Sequence, residues 1–290
     1  MTLTSLDPTA QRHQHQVQLQ QYLDTDSDTA TKDLNFVLRQ AQSSDARSQS
    51  AMYWVLQSPR FKYWVQSLDA DVLAVNGNLE DGTARYSAMS LLSGILIQSL
   101  GQQQSARVLQ FFCGAHSARN DPIGGPSGMI RSLVAQLLSL QPLDVGFLDS
   151  VYWKEGLQTQ NPVTLGRLFH RLLEQLSDVV VFCIIDSISV FETDRWATEL
   201  QSVLQALLDA VADRQLRLRF KLLVTSTSRN RCLSGIIDER NILNVPADMG
   251  TARPMTDRLV ELEMSRDGKE RIPSARYDAS FEDVYSQGYD

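Results

Sequence analysis

Lysine is scarce in this chain. Of 27 basic residues only five are lysines (Lys32, Lys62, Lys154, Lys221 and Lys269), and none lies between Lys62 and Lys154. Nearly all positive charge is therefore guanidinium, which forks onto carboxylates and phosphates. A phosphate site between positions 62 and 154 has to work without an ammonium group. Net positive charge is lacking too: 34 Asp+Glu leave a formal charge of -7, which argues against a surface built for broad binding to nucleic acid or an anionic membrane. Cysteine is rare. Cys113 and Cys183 lie in apolar runs and Cys232 in a polar one, the pattern of free thiols in a reducing, cytoplasmic setting rather than of a disulfide framework or a zinc site. The polar, Gln-rich N-terminus lacks the charged start and apolar core of a leader, and no apolar run approaches the roughly 20 residues that span a bilayer. A soluble protein is expected.

What is present is apolar content, 43% of 290 residues, enough for one large α/β domain with appendages. Residues 1–57 read as a helical region. There His13 to Gln21 suggests a solvated helix face or a frayed tail, Ser27 or Thr29 caps a segment carrying Leu34, Val37 and Leu38, and Ser43 or Ser44 caps one carrying Met52, Val55 and Leu56. Pro59 restarts a short helix that sets Phe61, Trp64 and Val65 against the sheet. Strands are expected at 72–75, 108–113, 179–185, 220–225 and 242–245, with amphipathic helices between most of them. In one such helix Leu165, Leu168, Phe169, Leu172 and Leu173 share a face, with Asn161 or Thr164 as cap. Strands apolar throughout and separated by helices predict a mostly parallel sheet covered on both faces, a three-layer α/β architecture like that of P-loop NTPases. That domain is expected over 58–250, followed by a charged, mostly disordered tail at 251–290.

In such sheets ligands sit beyond the carboxyl ends of the strands. The first strand runs into Asn76-Gly77-Asn78-Leu79-Glu80-Asp81-Gly82-Thr83-Ala84-Arg85-Tyr86-Ser87 and then into a helix through Met89, Leu91 and Leu92. This is the context of a P-loop, whose pattern of Gly, four residues, Gly, Lys, Ser/Thr cradles phosphates with backbone N–H groups. Gly77 and Gly82 are correctly separated, but Thr83 takes the lysine position and Ala84 the hydroxyl position. A register two residues longer puts Arg85 at the lysine position and Ser87 near the hydroxyl, with Glu80 and Asp81 facing an anionic ligand. Both registers are open.

The strand before Asp186 ends abruptly in that carboxylate, the way such a sheet delivers an acid to Mg²⁺. Ser187-Ile188-Ser189-Val190 then supplies no second acid to orient attacking water, and Glu192 lies further on. Arg229 and Arg231 follow the fourth strand toward the crevice. His116 and His170 have no partner at metal-ligand spacing and read as a polar-loop and a satisfied helix histidine. Gly124-Gly125-Pro126-Ser127-Gly128 reads as a turn with Ser127 capping the next helix, an anion nest being the alternative.

The order and intervals of these pieces, from Phe61-Lys62-Tyr63-Trp64 through the 72–82 strand and loop, Val108-Leu109-Gln110-Phe111-Phe112-Cys113, the helix of Gly128 to Leu138, Phe182-Cys183-Ile184-Ile185-Asp186-Ser187 and Lys221-Leu222-Leu223-Val224-Thr225-Ser226, resemble the NACHT-like NTPase domains of STAND proteins. The version resembled has a nephrocystin-3-like N-terminal region and occurs in many fungal proteins. The resemblance covers roughly residues 34–246 and implies an ATP-dependent switch. Nucleotide would sit at Gly77, Gly82, Thr83, Arg85 and Ser87, Mg²⁺ at Asp186, and a Thr-Ser-Arg sensor at Thr227-Ser228-Arg229, with Thr225-Ser226 nearer the strand. The missing lysine, hydroxyl and second acid lead to the expectation of a degenerate domain. It would act through a protein partner or self-association, with weak or no hydrolysis and no resident cofactor. The alternative is an unorthodox Mg–ATP or Mg–GTP switch using Arg85, Ser87, Asp186 and Arg229.

Overall fold

The structure is a computed structural model and describes residues 8–26, 28–40, 46–78, 87–229 and 231–247. Strands β1 (Asp71–Asn76), β2 (Ala106–Phe112), β3 (Val180–Asp186), β4 (Arg219–Ser226) and β5 (Ile242–Asn244) form one parallel sheet in the order β2-β3-β4-β1-β5. Each expected strand is present. The runs are rich in Val, Ile, Leu and Phe, and alternate side chains point to opposite faces, so each strand feeds two cores. Leu73, Val75, Phe112, Phe182, Ile184 and Leu223 pack under α2 (Thr29–Gln40), α3 (Ala46–Gln57), α4 (Pro59–Gln66) and α5 (Ala88–Gly101). Ala74, Leu109, Phe111, Val181, Ile185 and Val224 pack under α1 (Pro8–Leu23), α6 (Gly125–Leu140), α8 (Pro162–Leu173) and α9 (Ala197–Ala212), with α7 (Val151–Gln158) alongside. This is the three-layer arrangement expected from the strand pattern.

Helix starts follow local chemistry. Pro59 opens α4 behind Ser58, and the Asn161 side chain accepts from Val163 N and Thr164 N to cap α8. At α6 the expectation of a Ser127 cap is corrected: the helix begins at Gly125, and the Ser127 hydroxyl instead donates to Glu199 at 2.9 Å, joining α6 to α9. Glycine is required at 128, where a Cβ would lie 1.9 Å from Ile123 O. Gly125, at φ +80°, is roofed by the Trp196 indole.

The N-terminal stretch is also corrected. Leu19 and Leu23 are fully buried, and the Gln16 amide donates to Leu143 O at 3.1 Å, so α1 adds a core-facing side to the solvated face of Val17, Gln18, Gln20 and Gln21. Two leucines four apart among glutamines are too sparse to register as a periodic stripe. Helix α2 opens at Thr29, while Ser27, Ser43, Ser44 and the 251–290 tail lie outside the described residues. Among the described residues no helix is long and apolar enough to cross a membrane. Cys113 and Cys183 are buried thiols and Cys232 is a half-buried one, none of them in a disulfide among the described residues.

After β1 the chain crosses to the far edge at β2, winds back through β3 and β4, and passes β1 to reach β5. Strand β4 therefore stands between β1 and β3. The carboxyl ends of three adjacent strands, and the start of α5, meet at one crevice.

Candidate functional site

Asp186 ends β3 at that crevice and is 1% exposed. Both of its oxygens are engaged. Oδ2 accepts from Ser90 Oγ at 2.6 Å and Ser187 Oγ at 3.0 Å, and Oδ1 accepts from Thr225 Oγ1 at 2.6 Å. Burial pushes the carboxyl pKa above its usual range, and the hydroxyls of Ser90, Thr225 and Ser187 pull it back without offsetting that push. Ser187 follows in the left-handed region (φ 58°, ψ 43°), and its N–H donates to Thr225 Oγ1 at 3.2 Å. Next along the two strand ends, the hydroxyls of Ser189 and Thr227 lie 3.4 Å apart. The Ser226 hydroxyl is buried and has no hydrogen-bond partner among the described residues.

The start of α5 completes the cluster. Ser87 is its N-cap: the hydroxyl accepts from Met89 N at 3.1 Å and Ser90 N at 3.3 Å, and Ser90 Oγ accepts from Ser87 N at 3.0 Å. This reciprocal capping box holds first-turn donors that an anion would otherwise use. Ser90 thus serves its own helix and Asp186 together. It was not among the residues singled out from sequence. Its signal was the three-residue spacing from Ser87 that marks a capping box.

Counting back from Ser90 with P-loop spacing puts Met89 at the lysine position and Ala88 at the second glycine, a register neither glycine-based alignment considered. Met89 is fully buried, and a Cβ on Gly77 would lie 3.1 Å from Met89 Cγ and 3.1 Å from Ser226 O. The methionine therefore fills the space against Gly77. Gly77 itself donates from its N–H to Ser226 O at 2.8 Å, and Asn78 Nδ2 donates to Val245 O at 2.7 Å, drawing the start of the loop toward β4 and the end of β5.

Of the residues named from sequence, Gly77, Ser87 and Asp186 come together around Ser90 and Thr225. Gly82, Thr83 and Arg85 lie outside the described residues. Thr225 rather than Thr227 meets Asp186, and Arg229 is exposed beyond the strand. Glu192 Oε1 accepts from Arg231 N at 2.8 Å and Cys232 N at 2.7 Å, which ties down the loop after β4. The two histidines do have partners, supplied by the tertiary fold. His170 Nε2 lies 3.0 Å from Asp213 Oδ2, and His116 lies between Asp33 and Asp121. Among the described residues no group of three or more His, Cys, Asp or Glu is placed to hold a metal.

Compared with known proteins, residues 50–227 match the model of the family described as Nephrocystin 3, N-terminal. That stretch runs from α3 to just past β4 and contains the whole crevice cluster. No curated protein and no solved structure matches the chain.

Proposed function

The chain belongs to the nephrocystin 3 N-terminal family, and from that premise we propose that it is a degenerate NACHT-like module of the STAND kind. It works by binding a protein partner or a second copy of itself, with weak or no turnover of nucleotide. The observation that carries this reading is the Asp186 carboxylate with both oxygens taken by the hydroxyls of Ser90, Ser187 and Thr225. A Mg²⁺ ion would have to share the carboxylate with three hydroxyl donors, two on Oδ2 and one on Oδ1, in a site closed to solvent.

Three further features support it. Met89 stands where the motif counted from Ser90 has its lysine. Loss of that charge-assisted contact alone weakens phosphate binding by about 1.5–3 kcal/mol, roughly ten- to a hundredfold. The Ser87 hydroxyl is engaged as a helix cap, so in the alternative set Arg85, Ser87, Asp186 and Arg229 it would have to give up backbone donors to hold a metal. Glu192, the nearest acid after Asp186 in the sequence, holds backbone amides of the following loop.

Calorimetric titration of the purified chain with Mg–ATP and Mg–GTP is expected to give no saturable heat up to millimolar nucleotide, and phosphate release is expected to match a protein-free blank. ATP turnover that Asp186→Ala abolishes would overturn the proposal in favour of an unorthodox NTPase switch. Light scattering across a concentration series separates the two modes of action. A concentration-dependent rise in mass indicates self-association, and a constant monomer points to a different protein as partner.

A further inference from the structure

A second polar cluster lies just beyond the end of β2, whose Cys113 N–H donates to Asp186 O at 3.0 Å. His116 is 6% exposed and has both ring nitrogens engaged: Nε2 lies 2.8 Å from Asp33 Oδ2 on α2, and Nδ1 lies 2.9 Å from Asp121 Oδ2 on the loop before α6. The Phe111 ring stacks against the imidazole at 5.0 Å. Two neighbours hold the same stretch of chain. Gln110 Nε2 donates to Ala30 O at 2.7 Å, and buried Arg131 donates from Nη1 to Leu23 O at 2.7 Å and from Nη2 to Pro122 O. All three side chains of the sheet domain therefore grip the junction of α1 and α2.

The charged groups at this junction are Asp33 and Lys32 from α2, Asp121 from the β2–α6 loop, Asp24, Asp26 and Asp28 from the α1–α2 link, and Arg131 from α6, with Lys32 paired to Asp26 at 2.5 Å. Asp24, Asp26 and Asp121 line a cleft of about 500 Å³ together with His116. Histidine is the group among these whose unperturbed charge changes between pH 5 and 8. A protonated imidazole donates from both nitrogens and satisfies both carboxylates, whereas a neutral one has a single N–H. The neutral ring leaves one carboxylate facing a lone pair.

We propose that His116 is a proton-operated bolt that fastens the α1–α2 junction to the end of β2, closed when charged and half-released when neutral. Burial by itself pulls the His116 pKa down, but the hydrogen bonds and charges of Asp33 and Asp121 outweigh it, and the net shift is upward. A raised histidine pKa means that the tether is complete below the ordinary value of about 6.5 and is lost as pH rises through the folded-state value.

Side-chain ¹⁵N–¹H spectra of the full chain, recorded as a pH series, read the imidazole directly. His116 is expected to titrate above its ordinary value in the wild type and to move down in Asp33→Asn. Amide exchange of residues 28–33, corrected for the intrinsic rate, is expected to speed up about tenfold across that titration, the scale of one charge-assisted hydrogen bond. Asp33→Asn should flatten the step. Should Asp33→Asn fail to fold, Asp121→Asn serves, because its amide oxygen can still accept from Ile123 N as Asp121 Oδ1 does at 2.9 Å. Titration at or below the ordinary value, or exchange at 28–33 that takes no step across it, overturns the proposal.

Discussion

A carboxylate survives inside a protein when each of its oxygens finds donors, and Asp186 has found three hydroxyls from α5, β4 and its own neighbour. Asp186→Ala leaves those hydroxyls without an acceptor and is expected to destabilise the fold by about 2–4 kcal/mol, read as a fall in the urea midpoint. Asp186→Asn keeps the shape and sheds the charge, so it should cost about half as much. The sign follows from burial, which raises the carboxyl pKa. The protonated form is the one that burial favours, and that contribution is lost as pH rises through the raised value. Removing the charge at neutral pH therefore recovers part of what the lost acceptor takes away. The position of Asp186 was legible because an apolar strand stops there. Ser90 was not, because its partner lies 96 residues away.

Among the elements, β2 is an edge of the sheet, and an open edge invites pairing with another chain. Here the Gln136 side chain on α6 imitates a neighbouring strand: Gln110 N–H donates to Gln136 Oε1 at 2.9 Å, and Gln136 Nε2 donates to Gln110 O at 2.8 Å. Gln136→Ala uncovers both backbone groups. It is expected to leave the far-ultraviolet spectrum unchanged while the aggregation onset on heating falls by several degrees, and an unchanged onset would show that the edge is protected by other means. Helix α1 teaches the complementary lesson. Its residues looked solvated in sequence because Leu19 and Leu23 are its buried apolar positions among many glutamines, yet the sheet's second layer takes both into its core. The amphipathic pattern of α8, by contrast, was dense enough to be read directly, and the structure chose Asn161 over Thr164 as its cap.

For the molecule as a whole, the most telling titratable group is Lys221 at the opposite end of the sheet. It is fully buried on β4 and donates from Nζ to Trp64 O at 2.6 Å and Ser67 Oγ at 3.0 Å, closing the end of α4. Alongside, Arg60 forks onto Asp71 at 2.7 and 2.9 Å and donates to Asn241, so α4, β1 and the lead-in to β5 are tied at one corner. Burial lowers the Lys221 pKa from 10.5 to about 8, against the opposing charges of Asp71 and Asp69. Between those two values the unfolded chain binds more protons than the folded one, so stability rises with pH. Urea unfolding at pH 9.5 compared with 7.5 is expected to show a gain on the order of 2 kcal/mol that Lys221→Met removes. A flat profile in the wild type would mean that the ammonium is better solvated than its burial implies.

Sequence alone determined the strands, the helix opening at Pro59, the layered parallel architecture and the lack of a lysine in the phosphate loop, because each of these is written in spacings of a few residues. Only the tertiary structure decided which hydroxyls face Asp186, that Met89 fills the space against Gly77, that α1 belongs to the core, and that His116 finds Asp33 across 83 residues. Those contacts depend on the order in which strands pair. Local periodicity carries no information on that order, since every strand of a buried parallel sheet presents the same apolar surface to its neighbours.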